Sequence, residues 1–154
     1  MGNNQFDSID EKILQMLAKD GRVSFQEVAR ACGVSGTTIH TRVQRLTSLG
    51  IIQGSEYLIN PAKIGYETCA YVGLTLKEGY QCENVLTALK SIPEIVEIHC
   101  TNEAYDFFVK IYAKNNGHLL SIIQSQLKPL GLSQQKVIIS FEVVHNKQLT
   151  KLPE

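Results

Sequence analysis

The sequence predicts an α+β protein, with an N-terminal three-helix, winged helix-turn-helix domain and a C-terminal ferredoxin-like βαββαβ domain. Apolar residues recur at helical spacing in the first third of the chain, and from residue 70 onward they alternate as they do in strands. A short turn, Gly33–Ser35, separates two of the helical patterns. We therefore expect a helical domain at 1–52, an extended linker at 53–65, a ferredoxin-like domain at 66–146 and a tail at 147–154.

Composition places the chain among ordinary soluble proteins. Its 154 residues are 44% hydrophobic and carry no net charge. Because neither a leader peptide nor an apolar run long enough to cross a bilayer is present, we expect a cytoplasmic protein without a membrane partner. Four widely spaced cysteines and four dispersed histidines predict no metal site, no cofactor and no catalytic cluster. Positive charge is local, since residues 21–50 contain four arginines and one glutamate.

Each of the three expected helices has its own start and stop signals. The expected N-caps are Asp7, Ser24 and Ser35, and the expected stops are Gly21, Gly33 and Gly50. Glu27, three residues after Ser24, completes a capping box. The side chains expected to face inward are Ile9, Ile13, Leu14 and Leu17, then Val28, Ala29 and Cys32, then Ile39, Val43 and Leu46. Together these signals predict a helix-turn-helix.

The second domain shows four alternating segments and two helical ones. The expected inward strand residues are Ala70, Val72, Leu74 and Leu76; Val96, Ile98 and Cys100; Phe107, Val109, Ile111 and Ala113; and Val137, Ile139, Phe141 and Val143. Helical spacing between the first and second segments, and between the third and fourth, gives the order βαββαβ. Both helices of this arrangement cover one face of the sheet.

The opposite face of the sheet is predicted to be unusually apolar. It should carry Tyr71, Phe108, Tyr112, Ile138 and Val144. Soluble monomers seldom expose such a patch, so we expect a second copy of the chain to cover it. The alternative is that helices of the first domain or the tail cover it.

The third helix presents a polar surface that suits nucleic acid. Its outward arc contains Thr37, Thr41, Gln44, Arg45 and Ser48, and Thr38 and Arg42 flank this arc. Short hydroxyls allow close approach to sugar and phosphate, and long donors can reach bases. We expect Arg45 to contact a base edge, and Arg42 either to bind phosphate or to brace the fold. Ser24 and Ser35 are helix caps whose neighbouring amides can also meet phosphates.

The residues carry a resemblance to a known family. The matching motifs are Asp7-x-x-Asp10-x-x-Ile13-Leu14, Gly21-Arg22, Ala29, Gly33-Val34-Ser35, Arg42-Val43-x-Arg45-Leu46 and Gly50-Ile51-Ile52, followed by Pro61, Gly65, Pro93-Glu94-Ile95-Val96 and Tyr105-Asp106. This pattern resembles the Lrp/AsnC family of leucine- and asparagine-responsive transcriptional regulators. The resemblance covers nearly the whole chain.

The resemblance implies a regulator of amino-acid-linked metabolism that binds double-stranded DNA. It implies homodimers that pair through their sheets, octamers built as a tetramer of dimers, and a free amino acid as effector. By analogy the effector contacts are Thr101, Glu103, Ala104, Tyr105, Asp106 and Ser140. Two positions depart from the family pattern: Glu103 stands where the family usually has glycine, and Ile138 where a small hydroxyl residue is more typical.

Two other functions remain open at this point. Sirohaem decarboxylases resemble the same two-domain plan, although the dispersed histidines offer them no obvious catalytic cluster. A sensing module whose helix-turn-helix contacts protein instead of DNA is the third possibility. Absorbance of sirohaem incubated with the protein separates the enzyme from the regulator, and salt-dependent DNA binding argues against the protein-contacting module.

Overall fold

The computed structural model describes residues 6–102 and 104–153, which form two compact units. The first unit comprises the chain up to Leu58 together with the residues from His145 onward. The second unit is Ile59–Val144. The residues after His145 thus group with the helical unit, whereas the sequence suggested a separate tail.

The first unit contains helices α1 (Ser8–Lys19), α2 (Phe25–Cys32) and α3 (Gly36–Ser48). The side chains of Asp7 and Ser24 complete capping boxes on α1 and α2, and each accepts a hydrogen bond from the backbone N–H three residues on. The core consists of one or two buried residues from each helix: Ile13, Val28, Ala29, Ile39 and Leu46. The predicted helices and their inward faces are therefore present.

The turn between α2 and α3 depends on a left-handed glycine. Gly33 has φ 69°, a conformation that costs side-chain-bearing residues energy, and the N–H of Val34 bonds back to the carbonyl of Ala29 at 3.1 Å. The Ser35 hydroxyl then accepts the N–H of Thr38 at 3.1 Å and starts α3. Within the described part of this unit no strand follows α3, and the chain from 53 to 60 carries no regular structure.

The second unit is a four-stranded antiparallel sheet with helices on one face. Its elements are β1 (Thr68–Leu76), α4 (Cys82–Lys90), β2 (Ile95–Cys100), β3 (Phe107–Ala113), α5 (Asn116–Ile122) and β4 (Leu132–Ser140). The strand order is β2-β3-β1-β4, which confirms the ferredoxin-like arrangement. A π-helical turn, Ile123–Leu127, extends α5, and a short 3₁₀ turn leads into β4.

The core of the second unit lies between the sheet and its helices. Its strand residues alternate along β1 and β3 as predicted, and its helical residues come from α4, α5 and the π-helical turn. The buried strand side chains are Ala70, Val72, Leu74, Ile95, Phe107, Val109, Ile111, Ala113 and Leu132.

Two strand predictions were wrong in detail. An irregularity in the β2–β3 register between Ile95 and Glu97 turns Ile95 inward, so Val96 is 50% exposed instead of buried. The fourth strand ends at Ser140, where its β1 partner, Cys69, lies next to the start of β1. Phe141 and Val143, which the alternation placed in this strand, lie beyond it and are exposed.

Candidate nucleic-acid interface and ligand site

The exposed side of α3 forms a continuous polar surface. Its exposed residues are Thr37, His40, Thr41, Gln44, Arg45, Thr47 and Ser48. The hydroxyls of Thr41 and Ser48 donate to backbone carbonyls one turn earlier, at 3.0 and 2.9 Å, which leaves their oxygens able to accept further hydrogen bonds. The Gln44 amide provides both a donor and an acceptor at the centre of this surface. We call Thr37, His40, Thr41, Gln44 and Ser48 the α3 face.

His40 belongs to this surface, although the sequence reasoning did not select it. It is exposed, and its ring lies 6.0 Å from that of Phe25 on α2. It precedes Gln44 by one helical turn, so the two side chains are neighbours on the helix. Helical spacing could have identified His40, because it lies about as far to one side of the outward arc as Arg45 lies to the other.

The two arginines of α3 point toward α1, where they meet carboxylates. Nη1 of Arg42 lies 2.7 Å from Asp7 Oδ1 and 3.0 Å from Asp10 Oδ1, and Nη2 of Arg45 lies 2.8 Å from Asp10 Oδ2. The Asp10 side chain is 1% exposed, and its Oδ2 also accepts the backbone N–H of Asp7. We call Asp7, Asp10, Arg42 and Arg45 the charge cluster. Arg45, which we expected to contact a base edge, is 41% exposed, and Nη2 of its guanidinium also binds Asp10 within its own unit.

The titration behaviour of the charge cluster follows from these contacts. The N–H of Asp10 and the guanidinium of Arg42 lower the pKa of the Asp7 carboxyl from its ordinary value of 3.8. The carboxylates of Asp7 and Asp10 in turn raise the pKa of Arg42. Arg45 also covers the ring of Phe6, with its guanidinium carbon 5.6 Å from the ring centroid. Asp7 and Arg42 therefore stay ionised at neutral pH.

The face of the sheet opposite the helices carries an aromatic patch. Tyr71 and Phe108 stack with centroids 6.0 Å apart, Tyr112 follows Phe108 on the same face of β3, and Ile138 is 42% exposed opposite Tyr71 on β4. We call these four residues the sheet patch. Val144, predicted as a fifth member, lies four residues beyond the end of β4 and is 88% exposed. The prediction that Val144 lies on the sheet was wrong, because β4 ends before the alternating apolar pattern of the sequence does.

A lysine lies in the middle of the sheet patch. Lys110 is only 15% exposed, and its Nζ lies 5.8 Å and 5.4 Å from the ring centroids of Tyr71 and Tyr112. The carboxylate of Glu97 on β2 is 3.5 Å away. Desolvation opposes the lysine charge, but Tyr112, Glu97 and Tyr71 outweigh it and raise the pKa of Lys110. The alternation of β3 already placed Lys110 on this face, between Phe108 and Tyr112.

The loop predicted to contact an effector is held against the end of β1. The N–H of Asp106 donates to the Leu74 carbonyl at 3.0 Å, and the carboxylate of Asp106 accepts the N–H of Leu76 at 2.7 Å. The Thr101 hydroxyl donates to the carbonyl of Tyr105 at 2.6 Å. The Tyr105 ring lies directly on Gly73, where any Cβ would come within 2.7 Å of it. Ala104 is exposed, and Glu103 lies outside the described residues.

Within one chain the predicted effector residues are not brought together. Ser140 pairs with Cys69 at the start of β1, whereas the loop meets Leu74 and Leu76 at its other end. Five residues of strand separate the two places, about 17 Å at 3.4 Å per residue. A surface cavity of about 440 Å³ is lined by Gly79, Tyr80, Gln81, Asn84, Val85, Pro129 and Leu130 and contains none of the predicted residues.

Among residues 6–102 and 104–153, no group of histidine, cysteine, aspartate and glutamate side chains is arranged to hold a metal ion. In the same part of the chain no helix combines the length and the apolar character that a membrane span needs.

Comparisons with known proteins match both units. Residues 6–53 match the profile of winged helix-turn-helix DNA-binding domains, and residues 69–150 match that of the Lrp/AsnC ligand binding domain. Regulatory protein AsnC of Haemophilus influenzae is 36% identical over 140 residues, 90% of this chain and 93% of that protein. The HTH-type transcriptional regulator FL11 of Pyrococcus furiosus is 35% identical over 147 residues, covering 96% of this chain and 95% of its own. The structure of Escherichia coli AsnC superposes with a TM-score of 0.87 at 25% identity, covering 95% of this chain and 99% of that one.

Proposed function

The chain belongs to the Lrp/AsnC family of transcriptional regulators, and from that premise we propose that its α3 face reads double-stranded DNA in the major groove. The relatives are named as regulators, so the chain is a DNA-binding regulator and not the sirohaem-decarboxylase-like enzyme considered above. A single observation carries the assignment to α3: its polar face is exposed within its unit, while Ile39 and Leu46 anchor the opposite side in the core.

The geometry changes which side chains should read bases. Gln44 lies at the centre of the α3 face and can bond in bidentate fashion to N6 and N7 of adenine. Thr37, Thr41 and Ser48 are short hydroxyls on the same surface, and His40 borders it. Arg42 and Arg45 bind carboxylates of α1, so we assign them to bracing in place of the base contact expected of Arg45. Ser24, Ser35 and Thr38 support helix starts, since Ser35 and Thr38 bond to each other at 2.8 Å.

The second unit is assigned to assembly and effector binding. The sheet patch is the surface through which two chains would pair as a homodimer, and octamers would be tetramers of these dimers. The match to a ligand binding domain over residues 69–150 supports an effector, and the resemblance makes a free amino acid the class to test. Because Ser140 and the loop at Thr101–Asp106 lie at opposite ends of β1, a site using both needs two chains.

Light-scattering mass with and without a panel of amino acids tests assembly and effector together. We place the regulator in the cytoplasm.

Substitution of Gln44 by alanine tests the assignment of α3. Losing a bidentate base contact should cost about 1–3 kcal/mol of discrimination, so affinity for DNA selected on the wild-type chain should fall about 5- to 150-fold. Affinity for random DNA should change little, because phosphate contacts remain. Gln124→Ala, at an exposed glutamine of the second unit, is the matched control. Equal affinities of wild type and Gln44→Ala for selected DNA would remove Gln44 from the interface.

A further inference from the structure

Asp10 occupies an unusual place for a carboxylate. It is 1% exposed, and among the described residues it is the one polar or charged residue that is buried. Its two oxygens accept hydrogen bonds from Arg42, from Arg45 and from the backbone of Asp7. A buried charge is tolerated only when it is paired and hydrogen-bonded, and both conditions are met here by the two arginines of α3.

The arrangement joins α1 to α3 at a defined position. Arg42 and Arg45 are three residues apart, so both extend from the same side of α3, and Asp10 binds one with each oxygen. Asp7 binds Arg42 from the more exposed side. The four side chains have no net charge, so α3 offers neighbouring phosphates less positive potential than its two arginines would alone.

We infer that Asp10 is a positioning residue for DNA recognition, which braces the partly exposed Arg42 and Arg45 against α1 and so withholds their charges from the phosphate backbone. The inference rests on the proposed role of α3. It assigns sequence reading to the neutral α3 face and makes nonspecific attraction weaker than the arginine content implies. Removing Asp10 should release guanidinium charge to phosphate, so discrimination between target and random DNA should fall.

The salt dependence of DNA binding tests this inference, because each phosphate contact changes the slope of log affinity against log salt by about 0.9. For Arg45→Ala we expect the wild-type slope, since a brace makes no phosphate contact. For Asp10→Asn we expect a slope steeper by about one per protomer, equivalent to about 3.5-fold extra loss of affinity per protomer between 50 and 200 mM salt. Glu11→Gln removes the same charge from α1 at a carboxylate that binds Gln15, and it should leave the slope unchanged.

A double variant separates this role from simple support of the fold. If Asp10 acts through Arg45, Arg45→Ala should abolish the extra slope of Asp10→Asn, and a purely structural role would not couple the two slopes. The salt slope of Asp10→Asn is compared with that of the wild type only if the two far-UV circular dichroism spectra match. If Asp10→Asn does not fold, the salt slope of Arg45→Ala alone tests the inference. A shallower slope in Arg45→Ala, or an unchanged slope in folded Asp10→Asn, would overturn the inference. Failure of the wild-type chain to bind DNA would overturn the proposed function as well.

Discussion

Single residues of the charge cluster change how the charge of the first unit should be counted. Residues 21–50 contain an excess of arginine, yet two of those arginines are paired with Asp7 and Asp10 from α1. These partners are 32 to 35 residues apart along the chain. Periodicity placed Arg45 in the outward arc and Arg42 beside it, but no local spacing links either arginine to α1. The sequence therefore predicted the polar surface and missed the pairing that holds Arg45 against α1.

Acid should weaken the first unit through Asp7. Because folding lowers the pKa of Asp7, the unfolded chain takes up its proton first as the pH falls, so stability is present above pH 3.8 and is lost as the pH drops through the folded-state pKa. Asp7→Asn should therefore show a shallower fall in melting temperature between pH 5 and pH 2 than the wild type, as followed by circular dichroism. Glu11→Gln on the same helix is the control. Parallel curves for Asp7→Asn and wild type would show that Asp7 contributes nothing to acid stability.

Whole elements were predicted where their signals are local. The N-cap at Asp7, the capping box at Ser24 and the helix-ending glycine at 33 depend on residues within one turn, and all three occur in the structure. The alternation of β1 and β3 also identified their buried faces correctly. The errors lie at β2 and β4, where a register irregularity and the end of a neighbouring strand decide which residues pair. Such features depend on the partner strand, which local patterns do not contain.

The turn into α3 makes Gly33 sensitive to any side chain. A Cβ at Gly33 would meet nothing within 4 Å, so the cost of Gly33→Ala arises from the left-handed backbone alone. We expect the free energy of unfolding of the first unit to fall by about 1–2 kcal/mol in urea titrations. Gly36→Ala is the matched control, because Gly36 lies in α3 with equally open space and alanine favours a helix. Equal losses in both variants would contradict the backbone explanation.

At the scale of the whole molecule, the fold separates residues that an analogy had grouped. Strand order and fold class followed from the sequence because the order of helices and strands restricts the topology to few choices. The effector residues stay a prediction: within one chain Ser140 and the loop around Asp106 meet opposite ends of the same strand, and a site that uses both needs a second chain. The ring of Tyr105 on Gly73 was likewise invisible in the sequence, where Gly73 is simply a glycine inside a strand.

Pairing through the sheet patch should be sensitive to charge at its exposed edge. Ile138→Asp places a carboxylate at a residue that is 42% exposed in the single chain, so the fold should survive while assembly weakens. Light scattering should show a shift to lower mass at micromolar concentration. Leu120→Asp is the matched control, because Leu120 is 51% exposed on α5, on the helical side of the sheet. An unchanged mass for Ile138→Asp, or an equal shift for Leu120→Asp, would argue against pairing through the patch.

The lysine inside the sheet patch sets a condition on whatever covers that face. Lys110 already contacts two aromatic rings and Glu97, and its remaining hydration would be lost under a partner. An apolar partner surface that offers no anion or aromatic ring would bury this ammonium group without a new partner, which costs free energy. We therefore expect Lys110 to disfavour nonspecific apolar contacts at this face and to favour a partner that offers its ammonium group an anion or an aromatic ring.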